Sequence, residues 1–196
     1  MRGRLVIPVA CLLLFAAADA VTRSVRRSSA EAAPVPSPWL TRPFALADFP
    51  ATDLDGRDQS PAQWRGKVAV VNFWATWCGP CRVEIPDLVA LQRRHADDLV
   101  VLGIAQDESP ADDIRRFAGA MGVNYPVVIG RWEIETAFSE VLALPTTYLV
   151  DRSGRVVAHY VGQFDAKSFE RDVQRLVADR PVARAEVRSA DALTYR

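Results

Sequence analysis

The chain has 196 residues, 49% of them apolar, with 24 basic and 24 acidic side chains that cancel to zero formal charge. Such a length suits one domain plus appendages, and the apolar content can build a full core. Zero net charge removes the electrostatic reason to expect nucleic acid or an anionic membrane surface as a partner.

Residues 1–20 read as a signal peptide or membrane anchor outside the fold. Arg2 and Arg4 precede an apolar run from Leu5 to Ala18, and Ala18-Asp19-Ala20 resembles a small-x-small cleavage site. The run is shorter than the ~17–25 residues of a usual spanning helix. Arg23, Arg26 and Arg27 on its far side weaken the charge bias of an anchor, which favours cleavage. Cys11 is read as an apolar member of this leader. Residues 21–38 form a linker rich in Pro, Ala and Ser, where the alternating Pro34, Pro36 and Pro38 favour extended chain.

The domain is expected over residues 39–180. Phe44 to Trp64 should hold a short hairpin around the Asp55-Gly56 turn, with Phe44, Leu46 and Leu54 flanking it. Ser60-Pro61 then caps a short helix that ends near Gly66. Val68 to Trp74 is apolar and β-branched apart from Asn72, the pattern of a strand buried on both faces. It runs straight into Cys78-Gly79-Pro80-Cys81. Pro80 is tolerated only in the first turn of a helix, so a helix starts near Cys78 and continues to His95. Cys78 thereby lies where unpaired N–H groups and the helix dipole stabilise a thiolate. Cys81 lies one turn further in. Pro86 removes a backbone bond within this helix and predicts a kink.

A Cys-x-x-Cys pair has several readings. A structural zinc site needs two more ligands, usually a second such pair, and Cys11 is the only other cysteine. Attachment of c-type haem needs a histidine where Arg82 stands. Two inert core cysteines are a third reading, against which Pro80 and the helix-start position argue. A redox pair fits the strand-to-helix context best. With the leader removed, the chain would hold these two cysteines alone, so they serve chemistry rather than cross-linking.

Beyond the pair, Leu99 to Ala105 reads as a buried strand, and Ser109-Pro110 as the cap of a helix running to about Met121. Tyr125 to Ile129 reads as a short strand, and Glu133 to Leu142 as an amphipathic helix. Thr146–Val150 and Val156–Val161 form a hairpin about the turn at Asp151-Arg152-Ser153-Gly154. His95 and His159 are read as a helix-end cap and a half-exposed strand residue. Ala166 to Ala178 is the last helix, facing inward through Phe169, Val173, Leu176 and Val177. Residues 181–196 lose periodicity and are expected to be a flexible tail.

Phe73-Trp74-Ala75-Thr76-Trp77-Cys78-Gly79-Pro80-Cys81 resembles the active site of the thioredoxin superfamily. Glu84-Ile85-Pro86, Leu54-Asp55-Gly56, Arg65-Gly66-Lys67 and Leu144-Pro145-Thr146-Thr147-Tyr148 narrow the resemblance to the TlpA/ResA-type thiol–disulfide oxidoreductases. It extends over roughly Phe44 to Val177. It implies an α/β thioredoxin-like fold: a central mixed sheet flanked by helices, with an N-terminal β-hairpin and a central αβ insertion. It also implies an extracytoplasmic reductase of disulfides in exported proteins, for example in cytochrome c maturation. Cys78 would be the nucleophile, Cys81 the resolving cysteine and Glu84 the acid that exchanges its proton. Glu84 follows Cys81 by three residues, on the same helix face, and is expected below the cysteines with a pKa raised by burial. Trp77, Gly79, Pro80, Leu144, Pro145 and Thr146 would bind substrate, with the Leu144–Pro145 bond cis and Trp74 in the core. No metal and no cofactor beyond the Cys78–Cys81 disulfide is expected. The implied partners are disulfide-containing exported proteins and a membrane electron donor of the thiol-transporter type; the implied state is a monomer.

Asn72 stands where thioredoxin itself carries a buried aspartate, and Ser139-Glu140 and Ala143 replace the residues common before the cis-proline. Two other readings differ in class. A copper-delivery protein of the same fold needs a distal histidine, for which His159 is a poor candidate. A peroxidase of the peroxiredoxin type needs a Thr-x-x-Cys and arginine constellation that this chain lacks.

Overall fold

The computed structural model describes residues 37–138 and 141–179. The expected leader, most of the linker and the C-terminal tail lie outside the described residues, as do Ser139 and Glu140.

Six strands form one mixed sheet: β1 (Trp39–Ala45), β4 (Val68–Trp74), β5 (Leu99–Ala105), β6 (Val127–Ile129), β7 (Thr146–Val150) and β8 (Arg155–Val161). Their spatial order is β1-β8-β7-β4-β5-β6. Strand β4 sits inside this order, parallel to β5 and antiparallel to β7. All seven of its residues are buried, which explains a run with no polar alternation. β5 and β6 continue the parallel half, and β8 and β1 the antiparallel half.

Alternation along β4 sorts the core into two layers. Val68, Val70 and Trp74 face helix α1 (Gly79–Arg94) and helix α4 (Ala166–Ala178), together with Ile85, Leu88, Phe169 and Val173. Ala69, Val71 and Phe73 face the other way, onto Phe49, Trp64, Phe138 and Tyr148. That second layer is aromatic: Phe73 meets Phe138 edge-on at 5.2 Å and Tyr148 at 6.0 Å. Each such pair adds about 0.5–1.5 kcal/mol beyond simple burial. Asn72 belongs to the first layer, on the α1 side, and that placement makes the site.

The hairpin is present but smaller than expected. β2 (Ala51–Thr52) pairs with β3 (Asp58–Gln59) about a turn containing Gly56, whose φ of 82° suits glycine. Asp53 is buried in that turn and accepts from the backbone N–H of Asp55 and Arg57 and from Gln59. Phe44 is not part of this hairpin; it lies in β1, opposite Val156 of β8. The predicted helix after Ser60 is a single 3-10 turn, Pro61–Trp64, in which the Gln63 side chain accepts from the Ser60 N–H at 3.3 Å.

Helix α1 runs unbroken through Pro86 and ends at His95, whose N–H bonds the Leu91 carbonyl. The insertion forms α2 (Ala111–Ala120) and the edge strand β6. Pro110, not Ser109, is the residue before α2, and no side chain caps it. The expected ten-residue helix from Glu133 is also corrected. α3 is Trp132–Glu135 alone. Beyond it, the Ala137 and Phe138 N–H groups reach back three residues, to Ile134 and Glu135. Tighter turns of that kind still bury Ile134 and Phe138, so the apolar spacing was satisfied without a longer α-helix. α4 keeps the bounds read from the sequence and is capped by Asp165, whose side chain accepts from the Ser168 N–H.

Candidate active site

The junction between β4 and α1 builds the site. After Trp74 the chain makes one turn, closed by a hydrogen bond from the Cys78 N–H to the Ala75 carbonyl. Cys78 is the N-cap of α1, with Gly79 and Pro80 filling the first helical positions. Pro80 has no N–H to lose there, which is why the helix accepts it. Cys78 and Cys81 form a disulfide, with Cα atoms 5.3 Å apart. The Cys81 N–H also points at Cys78 Sγ, 3.3 Å away. A thiolate on Cys78 would therefore meet a backbone donor and the positive end of the helix dipole. Both cysteines are largely buried, Cys81 fully.

Trp77, Gly79 and Pro80 are exposed around the pair, Trp77 to 67%. Trp74 is buried and stacks on Phe117 at 5.7 Å. The Leu144–Pro145 bond is cis. Phe73 lies opposite Thr146, so Pro145 sits beside the end of β4 where the chain turns toward Cys78. Leu144 packs on the cluster that holds both cysteines. The Pro145 carbonyl accepts from Gly162, and the Thr146 hydroxyl donates to the Ala143 carbonyl at 2.7 Å. Thr146 is fully buried, so its side chain braces the loop from beneath instead of facing a partner.

Under Cys81 lies a polar group that the apolar core has enclosed. Glu84 is one turn along α1 and only 1% exposed. Asn72 donates to Glu84 Oε1 at 2.8 Å and to Thr147 Oγ1 at 2.9 Å. Asn72 and Thr147 are cross-strand partners on β4 and β7, which is why one amide can serve both. Asn72 Oδ1 is buried without a partner. Burial pushes the Glu84 pKa up from its ordinary 4.5 to about 7, against the opposing pull of hydrogen bonds from Asn72 and from the Phe164 backbone. Buried Tyr125 is pushed well above its usual range, first by burial and then by the Glu84 charge.

The sequence thus placed Cys78, Cys81, Glu84 and Pro145 in one neighbourhood. It did not reveal Thr147 or Tyr125 as neighbours of that acid, because each depends on strand register. Among the described residues, no group of three or more His, Cys, Asp or Glu could hold a metal ion.

The family pattern described as Redoxin matches residues 31–177. The chain belongs to the Redoxin family. It is 30% identical over 132 residues to the thiol-disulfide oxidoreductase ResA of Geobacillus kaustophilus, covering 66% of this chain and 74% of that one. Among solved structures it resembles a thiol:disulfide interchange protein of the thioredoxin family from Chlorobium tepidum. That likeness has 33% identity and a TM-score of 0.65 over 70% of this chain and 99% of the other. It also resembles the exposed lipoprotein thioredoxin of Streptococcus pneumoniae, with 26% identity and a TM-score of 0.59, over 66% and 100% of the two chains. The fold is thioredoxin-like, and the Cys78–Cys81 pair makes this member of the Redoxin family a thiol–disulfide oxidoreductase.

Proposed function

We propose that this Redoxin-family protein works outside the cytoplasm, as a reductase of disulfides in exported proteins, with cytochrome c maturation as one setting. The observation that carries this reading is the asymmetric dithiol: Cys78 at the rim of a helix start, Cys81 enclosed above a carboxyl of raised pKa. The arginine-led apolar stretch at residues 1–20 supports export. The likeness to an exposed lipoprotein supports the same side of the membrane.

In the reduced protein, the Cys78 thiolate attacks one sulfur of the partner's disulfide. A mixed disulfide forms and one partner thiolate leaves. Cys81 then gives its proton to the Glu84 carboxylate, and its thiolate attacks Cys78 Sγ. The second partner thiolate leaves and takes up a proton, and the Cys78–Cys81 disulfide remains. Two electrons have passed to the partner, whose cysteines end as thiols. An external dithiol, the membrane electron donor, restores the pair by the reverse exchange, with no bound cofactor. Leu144, beside cis-Pro145, offers backbone groups to an extended partner segment as an added strand. Trp77, Gly79 and Pro80 form the rim against which that segment rests.

Direction is tested by equilibrating the protein with glutathione. Gly-Pro between the cysteines is also thioredoxin's dipeptide, and thioredoxin sits near −270 mV, whereas strongly oxidising relatives sit near −120 mV. A potential near the former is expected. One above about −180 mV would make the protein an oxidant or isomerase and overturn the reductase reading.

A further inference from the structure

The turn before Cys78 carries the exposed indole of Trp77, yet burial of Trp77 cannot hold it in place. The holding is done through the backbone of Thr76, whose two polar groups are gripped from opposite sides. Its N–H donates to Asp107 Oδ2 at 2.6 Å. Its carbonyl accepts from Arg82 Nε at 2.9 Å and Nη2 at 2.6 Å. An anion thus faces the positive end of the Ala75–Thr76 peptide, and a cation the negative end of the next. All three bonds are charge-assisted, the strong kind.

The two grips come from different parts of the fold. Arg82 directly follows Cys81 on α1, and its guanidinium lies 5.2 Å over the ring of Phe117 on α2. Phe117 in turn stacks on Trp74 at the end of β4. Asp107 lies in the loop between β5 and α2. Burial alone would raise its pKa, but bonds from Thr76 and Ser109 outweigh that and hold it below the usual carboxylate value. The β5–α2 loop is next to β4, because the Gln106 N–H bonds the Trp74 carbonyl at 2.7 Å. Thr76, with the N–H and carbonyl both fixed, cannot rotate its peptide planes. The Ala75–Cys78 turn, the N-cap sulfur and the Trp77 rim are then set as one piece.

We infer that Asp107 and Arg82 are positioning residues for the reaction: they clamp Thr76 and so hold Cys78 at the helix start with Trp77 beside it. This rests on the proposed role of Cys78 as the attacking sulfur. Releasing either side lets the turn open, moves Cys78 away from the Cys81 N–H and the helix dipole, and misplaces the rim.

The test uses Asp107→Ala, Asp107→Asn and Arg82→Met in the full chain, each checked for native circular dichroism. Cys78 is titrated by alkylation against pH, and kcat and KM are measured on reduced protein with insulin disulfides. Asp107→Ala and Arg82→Met should each raise the thiolate pKa of Cys78 and lower kcat/KM about tenfold, a change equal to about 1.4 kcal/mol. Asp107→Asn keeps an acceptor for the Thr76 N–H and should recover most of that loss. If Asp107→Ala fails to fold, Arg82→Met still decides the matter. An unchanged alkylation profile with kcat/KM within about twofold of wild type in folded Asp107→Ala or folded Arg82→Met overturns the clamp. Activity that survives Cys78→Ser would instead overturn the reading of Cys78, an outcome that the clamp variants cannot produce.

Discussion

Around Cys78 the chain shows apolar side chains to solvent. Trp77 flanks it in sequence, and Leu142 and Val161, also exposed, bracket the cis-proline loop and its partner strand. Around Cys81 the arrangement is inverted: a carboxyl, an amide and a hydroxyl are buried, and apolar packing shields them from water. Exposed apolar surface is a recognition device. A buried titratable group is a proton device, because enclosure brings its pKa to neutrality. One disulfide joins the two, so under the proposed function recognition and proton transfer are separated by a single helical turn. Residues on either side should therefore fail in different measurable ways.

The largest effect expected on breaking this division is at the cysteines themselves. Cys78→Ser should reduce dithiol activity to background, whereas Cys81→Ser should still attack and accumulate mixed disulfides visible on non-reducing gels. If alkylation of the reduced protein labels Cys81 before Cys78, the two roles are reversed.

The next effect belongs to the buried side. Glu84→Gln keeps a side-chain oxygen for Asn72 but cannot exchange a proton, so turnover should fall about tenfold to a hundredfold with KM little changed. In the native protein, turnover should rise with pH through about 7 as Glu84 ionises, and the variant should lose that inflection. Stability gives an independent reading. The folded pKa is raised above the unfolded value, so the folded state binds the Glu84 proton more tightly. Its contribution is then most favourable below pH 4.5 and is lost as pH rises toward 7. The upward shift corresponds to about 3 kcal/mol. Glu84→Gln should therefore flatten denaturation midpoints between those pH values and be the more stable protein at pH 8. Unchanged turnover and pH profile would make Glu84 a buried structural acid with no part in the exchange.

The smallest effect sharpens the exposed side. Trp77→Ala should raise KM for a protein disulfide by about threefold to tenfold, in line with loss of one aromatic contact. The rate with glutathione disulfide, too small to use the rim, should stay within about twofold. Equal losses on both substrates would mean that Trp77 acts on the cysteine and not on the partner.

The sequence made the parts nearest the cysteines legible. Strand β4 and helix α4 have the bounds read from apolar periodicity and capping residues. Glu84 was legible because helical spacing from Cys81 is local. What escaped the sequence was nonlocal or irregular. Strand β1 carries Pro43 and an irregular register against β8, which broke the alternation that would have marked it. Glu133 to Leu142 showed helical spacing, but the same residues can be buried by tighter turns, so period alone could not fix the helix length. Asp107 reads as one acid among many in a loop. Only the folded chain brings it to the Thr76 N–H, thirty-one positions away.

The pairing of β1 with β8 has a consequence for behaviour at high concentration. Without β1, the seven-residue strand β8 would form an edge with bare N–H and C=O groups, a template on which other chains could add and aggregate. β1 occupies that edge and presents a poorer one, interrupted by Pro43 and a register shift. At the opposite margin, β6 is three residues long and is partly shielded by the bridge from Asp53 to Val128 and by the Leu54 N–H on the Val127 carbonyl. Both borders of the sheet are thereby blunted, and backbone-mediated growth into larger assemblies has no long, regular strand from which to start.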